Sequence, residues 1–163
     1  MPVMQMKKSN WKPYALWILG TEAVGALSGF LSRGGMDRYT RSAAKPPLSP
    51  PPLVFPIVWS LLYGLMGYGA ARVWLSPPSR CRSRGLNFFA AQLAVNFFWS
   101  LFFFNAEAYG FSFFWLLLLW TLALGMLLSF RQADTLAGAL QIPYLLWLAF
   151  ALYLNLGVWI RNR

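Results

Sequence analysis

Gln92, Asn96, Trp99 and Phe103 stand 4, 3 and 4 residues apart, so a helix carries all four on one face. Two amides beside two aromatic rings can accept and donate hydrogen bonds against a flat apolar surface. An amide in an apolar setting is costly unless it is bonded, so Gln92 and Asn96 must face protein or a cavity. Two readings follow. In one the amides are interhelical bonds between neighbouring helices; in the other they offer polar groups inside an aromatic-walled cavity. Two further stripes have the same spacing. Phe55, Trp59 and Tyr63 are separated by 4 and 4, and Tyr144, Trp147, Ala151 and Leu154 by 3, 4 and 3. Ala151 is small enough to leave room beside Trp147.

The remaining chemistry is sparse. The chain has no His and one cysteine, Cys81. That excludes His-ligated metals, His general bases and any intrachain disulfide. The four acids, Glu22, Asp37, Glu107 and Asp134, are dispersed, and there is no phosphate-binding glycine loop. No catalytic residue and no metal site are expected. Glu22 is the exception in position, because it falls inside an apolar run. A carboxyl there is neutral, paired or facing a cavity, and it could couple a proton to transport.

The elements that position these residues are set by hydropathy. Of 163 residues, 58% are hydrophobic and 11% charged, against about 25% charged in an ordinary soluble domain. So much apolar surface exceeds what a globule of this length can bury. Five runs are long enough for helices across a bilayer core of about 30 Å. They cover about 13–32, 53–75, 86–105, 109–130 and 136–160. The expected fold class is therefore an all-α membrane protein, a bundle of five transmembrane helices in one domain over 1–163. Continuous runs of this length do not suit a β-barrel.

The first run follows Lys7, Lys8 and Lys12. It is too long for a signal-peptide core and ends in no A-x-A site, so it is expected to stay as a span. Residues 33–52 form the expected first loop, basic at Arg33, Arg38, Arg41 and Lys45, then stiffened by Pro46, Pro47, Pro50, Pro51 and Pro52. A second loop over 76–85 holds Arg80, Arg82 and Arg84. Tight turns at 105–108 and 131–134 make the last three spans antiparallel neighbours. Pro143 should bend the fifth span or free a carbonyl. Eight basic residues on the N-terminal side against six on the other lean slightly towards an N-terminus inside. The net charge of +10 sits between apolar runs, which points to lipid headgroups and not to nucleic acid. Gly25-x-x-x-Gly29 and, more weakly, Ala90 and Ala94 permit close helix approach, within the chain or in a homodimer.

In order along the chain, several strings resemble the translocator protein family, also called tryptophan-rich sensory proteins (TspO/MBR). They are Lys45-Pro46 with Pro50-Pro51 and Phe55-Pro56-x-x-Trp59-x-x-x-Tyr63, then Met66-Gly67-Tyr68-Gly69 with Val73-Trp74. Gln92-Leu93-Ala94-x-Asn96-x-x-Trp99 with Phe103-Phe104 follows, and last Pro143-Tyr144-Leu145-x-Trp147-x-x-Phe150-Ala151-x-x-Leu154-Asn155. The resemblance spans about Tyr39 to Arg161. It implies a five-helix bundle, often a homodimer, with a pocket closed by the first loop. It also implies protoporphyrin IX or a haem-like tetrapyrrole as ligand, sterols and benzodiazepine-type compounds as further ligands, and no required cofactor. Carried over by motif, the ligand-binding residues are Phe55, Trp59, Tyr63, Gln92, Asn96, Trp99, Phe103, Trp147, Phe150, Ala151 and Leu154.

The departures from the family pattern are Leu48 and Leu53, where family members place Trp, and Tyr39-Thr40 for a Trp-Tyr pair. The loop Trp is implicated in light-dependent porphyrin degradation in some relatives, so Leu48 implies binding without that activity. The tyrosine of the family's sterol segment is also missing. The expected location is a bacterial cell membrane. The expected function is ligand binding or sensing, with proton-coupled export through Glu22 or weak porphyrin degradation as alternatives.

Overall fold

The structure is a computed structural model and describes residues 10–163. Lys7 and Lys8, counted above for orientation, lie outside the described residues. The elements are α1 (Lys12–Ser42), α2 (Val54–Leu75), α3 (Arg80–Ser100), a π-helical turn (Leu101–Asn105), α4 (Tyr109–Ala133), α5 (Thr135–Ala139) and α6 (Ile142–Arg161). There is no strand among the described residues. Five helices, with α3 plus the π turn and α5 plus α6 each taken as one, are long and apolar enough to cross a membrane.

Four boundaries differ from the sequence expectation. The first helix continues ten residues past Ser32, so Arg33, Arg38 and Arg41 are helical and the irregular loop shrinks to 43–53. Hydropathy ends where lipid ends, but the helix does not, because its last turns have protein to pack on. A Cβ on Gly35 would collide with the Phe104 carbonyl, and Asn105 Nδ2 donates to Leu31 O at 2.9 Å. Arg38 bonds Glu107 at 3.1 Å. The third helix starts at Arg80, since Ser79 accepts from the Arg82 N–H as a side-chain N-cap. The fourth helix runs on to Ala133, so the turn after it is Asp134. The fifth span breaks at Leu140–Gln141, just before Pro143, which lies in the first turn of α6. Proline fits that place because a first-turn N–H has no intrahelical partner. The Gln141 amide turns back to the Ala137 carbonyl at 3.1 Å.

The half of the bundle near the start of α3 is filled. Met66, Ala70, Val73, Leu119, Met126, Phe130 and Ala137 are fully buried there, and Phe89 stacks on Phe130. Arg72 of α2 grips Asp134 with two bonds of 3.0 and 2.8 Å, and Asp134 also caps α5 through the Ala137 N–H. The Arg72 guanidinium, helped by that N–H, holds the Asp134 carboxyl below its ordinary value against the opposing effect of burial. At the other end the last helix clasps the loop. Asn162 exchanges two bonds with the Ala44 backbone at 2.9 and 2.8 Å, Tyr153 donates to Pro47 O, and Pro46 packs on Gly157.

Candidate ligand-binding cavity

A cavity of about 880 Å³ occupies the loop half, bounded by α1, α2, α3, the π turn, α6 and the proline-rich loop. That volume lies in the range of small-molecule sites, roughly 300–1,000 Å³. Its walls are mainly aromatic. Phe55 and Trp59 come from α2, Trp99 and Phe103 from α3 and the π turn, and Trp147 from α6. The rings brace one another. Trp99 stacks on Phe103 with centroids 5.1 Å apart, and Trp147 meets Phe55 and Trp59 edge to face at 6.0 and 6.5 Å. The π turn contributes because its wider winding brings both Phe103 and Phe104 against Tyr39, at 5.4 and 5.3 Å.

The floor is a chain of hydrogen bonds. Tyr63 donates to Asn96 Oδ1 at 2.9 Å, Asn96 Nδ2 donates to the Tyr144 oxygen at 2.7 Å, and Tyr144 donates to Gln92 Oε1 at 2.8 Å. Gln92 Nε2 ends the chain on Met66 Sδ at 3.5 Å. Each buried polar group here has a partner, which removes the penalty of placing it away from water. A second link crosses the bundle nearer the loop. Trp99 Nε1 donates to Asn155 Oδ1, and Asn155 Nδ2 donates to Tyr109 O. Ser28 and Ser32 of α1 share the Ser100 hydroxyl of α3 at 2.6 and 2.8 Å, closing the back wall.

Of the residues expected at the site, Phe55, Trp59, Tyr63, Asn96, Trp99, Phe103, Trp147, Ala151 and Leu154 line the cavity. Gln92 and Phe150 do not. Gln92 is fully buried one turn below Asn96, where it supports the floor. Phe150 lies three residues beyond Trp147 and faces a shallow apolar groove on the outer surface between α2 and α6. The two readings of the amide face therefore divide: Gln92 joins helices, and Asn96 both joins helices and touches the cavity. Gly25 and Gly29 of the small-residue motif both line the cavity, and Gly25 also faces the Tyr63 ring inside the chain. Leu48 is 81% exposed, has φ 66° and is not among the lining residues.

Several lining residues were not among those expected. Lys45 sits at the mouth, held by the Thr40 and Ala43 carbonyls with its ammonium 5.0 Å from the centre of the Tyr39 ring. Tyr39, Asp37 and Ser49 join it from α1 and the loop, and Asn155 from α6. Asn155 was legible, being one turn on from Ala151. The Tyr39 side was hidden by reading 33–52 as loop. Glu22 also lines the cavity, and the Ser60 hydroxyl donates to it across 3.3 and 3.4 Å. The Trp147 indole N–H is buried with no acceptor among the described residues.

Comparison with known proteins agrees with this architecture. The TspO/MBR family model matches residues 17–160. A sheep protein named translocator protein is 36% identical over 155 residues, covering 94% of this chain and 92% of its own length. Protein CrtK of Rhodobacter capsulatus is 34% identical, covering 91% and 92%. A tryptophan-rich sensory protein of Cereibacter sphaeroides is 34% identical, covering 87% and 88%. The two bacterial relatives fit a bacterial membrane as its location. With five helices able to span a bilayer and a family match over nearly its whole length, this chain is a multi-pass integral membrane protein of the TspO/MBR family.

Proposed function

We propose that the chain is a ligand-binding or sensory membrane protein whose cavity takes a tetrapyrrole such as protoporphyrin IX. The observation that carries this reading is the cavity itself: about 880 Å³ with walls of Phe55, Trp59, Trp99, Phe103 and Trp147. A flat apolar macrocycle gains most from such rings, which offer stacking and edge contacts along with buried area. Lys45 at the mouth suits an acidic edge, and the unpaired Trp147 N–H can donate to a ligand oxygen. The ligand is cargo or signal in this reading, with no resident cofactor required.

The test is a titration of detergent-purified protein with protoporphyrin IX in the dark, read by tryptophan quenching. Trp147→Phe and Asn96→Ala run alongside. Saturable micromolar binding, weakened in both variants, is the expected result. Binding that never saturates, or that ignores both substitutions, would mean partition into the micelle and would end the proposal.

A homodimer is part of the same reading. Gly25 is already used by Tyr63, so the small-residue face left outward is that of α3, with Asn87, Ala90 and Ala94 exposed. Small side chains at Ala90 and Ala94 favour close approach of two copies there. With Cys81→Ser as background, Ala94→Cys should give an oxidised dimer in native membranes, and Leu136→Cys, exposed elsewhere, should not.

A further inference from the structure

Glu22 is the tenth residue after Lys12 in α1, about 15 Å along a helix whose membrane core is about 30 Å deep. Near mid-membrane a carboxyl group requires a partner. The ion pairs among the described residues are Arg38–Glu107 and Arg72–Asp134, so Glu22 is in neither. Among the described residues its side-chain bonds come from the Ser60 hydroxyl alone, one hydrogen offered across two oxygens at 3.3 and 3.4 Å. A carboxyl group has about four acceptor sites, so most of this one's capacity is open.

The space it faces is the cavity, on the side formed by α1 and α2. Ala26 of α1 and Pro56 and Ser60 of α2 line the cavity and are exposed. Gly29 adds no bulk there, since a Cβ on it would meet nothing within 4 Å. Below Glu22 the helices close again, with Thr21 donating to Tyr63 O at 2.9 Å and Gly67 against the backbone of Trp17 and Ile18. The result is a slot between α1 and α2 with an acceptor at its base and the Trp59 ring on the same wall.

We propose that Glu22 and Ser60 form a membrane-facing subsite of this cavity for a basic amphiphile, a flat apolar body carrying a protonated amine, entering between α1 and α2. The carboxyl oxygens take the amine hydrogens, and the Trp59 face attracts the same charge. Lys45, the lining cation, is engaged by carbonyls at the far mouth and leaves this acceptor to the ligand. The proposal rests on the cavity being a binding site, and its test separates the two.

The test uses the full chain in nanodiscs of zwitterionic lipid. The probes are a naphthyl-alkylamine and the alcohol of the same skeleton, both read by tryptophan quenching. The amine should bind about tenfold tighter than the alcohol, and Glu22→Gln should bring that ratio to about one. Ser60→Lys, which sets a tethered ammonium against the carboxyl, should cut amine affinity by about tenfold on its own. Equal affinities in the unsubstituted protein, or a preference that survives Glu22→Gln, would overturn the subsite. If neither probe saturates while protoporphyrin IX does, the subsite falls and the tetrapyrrole reading stands. If protoporphyrin IX also fails to saturate, both fall.

Discussion

The two halves of this bundle share four long helices, yet one is solid and the other hollow. In the half near the start of α3, small residues are points of contact. A Cβ on Gly85 would press on the Phe130 ring, one on Gly138 would meet the Arg131 backbone, and one on Gly69 would meet the Gln141 amide. In the loop half, Gly25, Gly35 and Gly157 are contact points too, but Ala26, Gly29 and Ala151 face the cavity. Between them lies the layer of Tyr63, Asn96, Tyr144 and Gln92, whose hydrogen bonds fix four side chains from three helices. A hollow in a protein tends to collapse, because its lining atoms lack partners. Here the floor cannot rise without breaking bonds, and the walls are rings propped against rings. An open cavity is thus a packed structure in its own right, held by polar links where the solid half is held by fit.

The largest expected effect breaks the hollow half alone. Ala151→Phe places a ring where Ala151 lines the space, and should weaken protoporphyrin IX binding at least about tenfold in the dark titration. Thermal unfolding should change little, because the ring enters a void. Equal loss of fold and binding would show that the two halves are not separable.

Asn96→Leu attacks the boundary. It leaves the Tyr63 hydroxyl without its acceptor and the Tyr144 oxygen without a donor. The cost is about 1–3 kcal/mol, seen as a lower denaturation midpoint. Gln92→Leu should act in the same direction while leaving the cavity wall intact, since Gln92 lies beneath it.

A paired glycine test sharpens the contrast. Gly85→Ala forces a Cβ to 2.8 Å from Phe130 and should destabilise by about 1–3 kcal/mol. Gly29→Ala meets nothing within 4 Å and should stabilise by roughly 0.5–1 kcal/mol through helix propensity. Two equivalent substitutions with opposite signs, measured by unfolding in the same detergent, would distinguish contact from vacancy.

The smallest effect concerns the solid half and acid. Asp134 has a folded value below its ordinary 3.8, so the unfolded chain takes up the proton first. Its contribution is whole above about pH 3.8 and disappears as pH falls through the lower folded value. Asp134→Asn should flatten the acid limb of a melting-temperature profile and leave the profile near neutrality parallel to that of the parent. An unchanged acid limb would remove Arg72–Asp134 from the account.

Much of this arrangement was legible because one physical demand produced it. Long apolar runs have to be helices in lipid, and the spacing of Gln92, Asn96, Trp99 and Phe103 put them on one side. Angular spacing alone does not say how deep along the helix the cavity stops, so it puts Gln92 with Asn96 although Gln92 lies a turn lower. The family motif puts Phe150 beside Trp147 at the site, but its position faces the outer groove. Basic residues end a hydropathy run, so the last turns of α1 have the composition of a loop. They stay helical through contacts with Phe104, Asn105 and Glu107, seventy residues away in sequence, which local reading cannot supply. The π turn that brings Phe104 there has no signature in composition.

The clasp between Ala44 and Asn162 also sets an order on biogenesis. The two residues are 118 positions apart, and the proline-rich segment gains its bonds to Tyr153 and Asn162 and its seat on Gly157 only when α6 is in place. At about 5–20 residues per second, that interval is on the order of ten seconds of synthesis. During it the first four spans can assemble while the proline-rich segment has nothing to rest on and the wall carrying Trp147 is still missing. The cavity is thereby open on two sides until α6 docks, and it takes its final shape only when the last helix closes both the Trp147 wall and the loop.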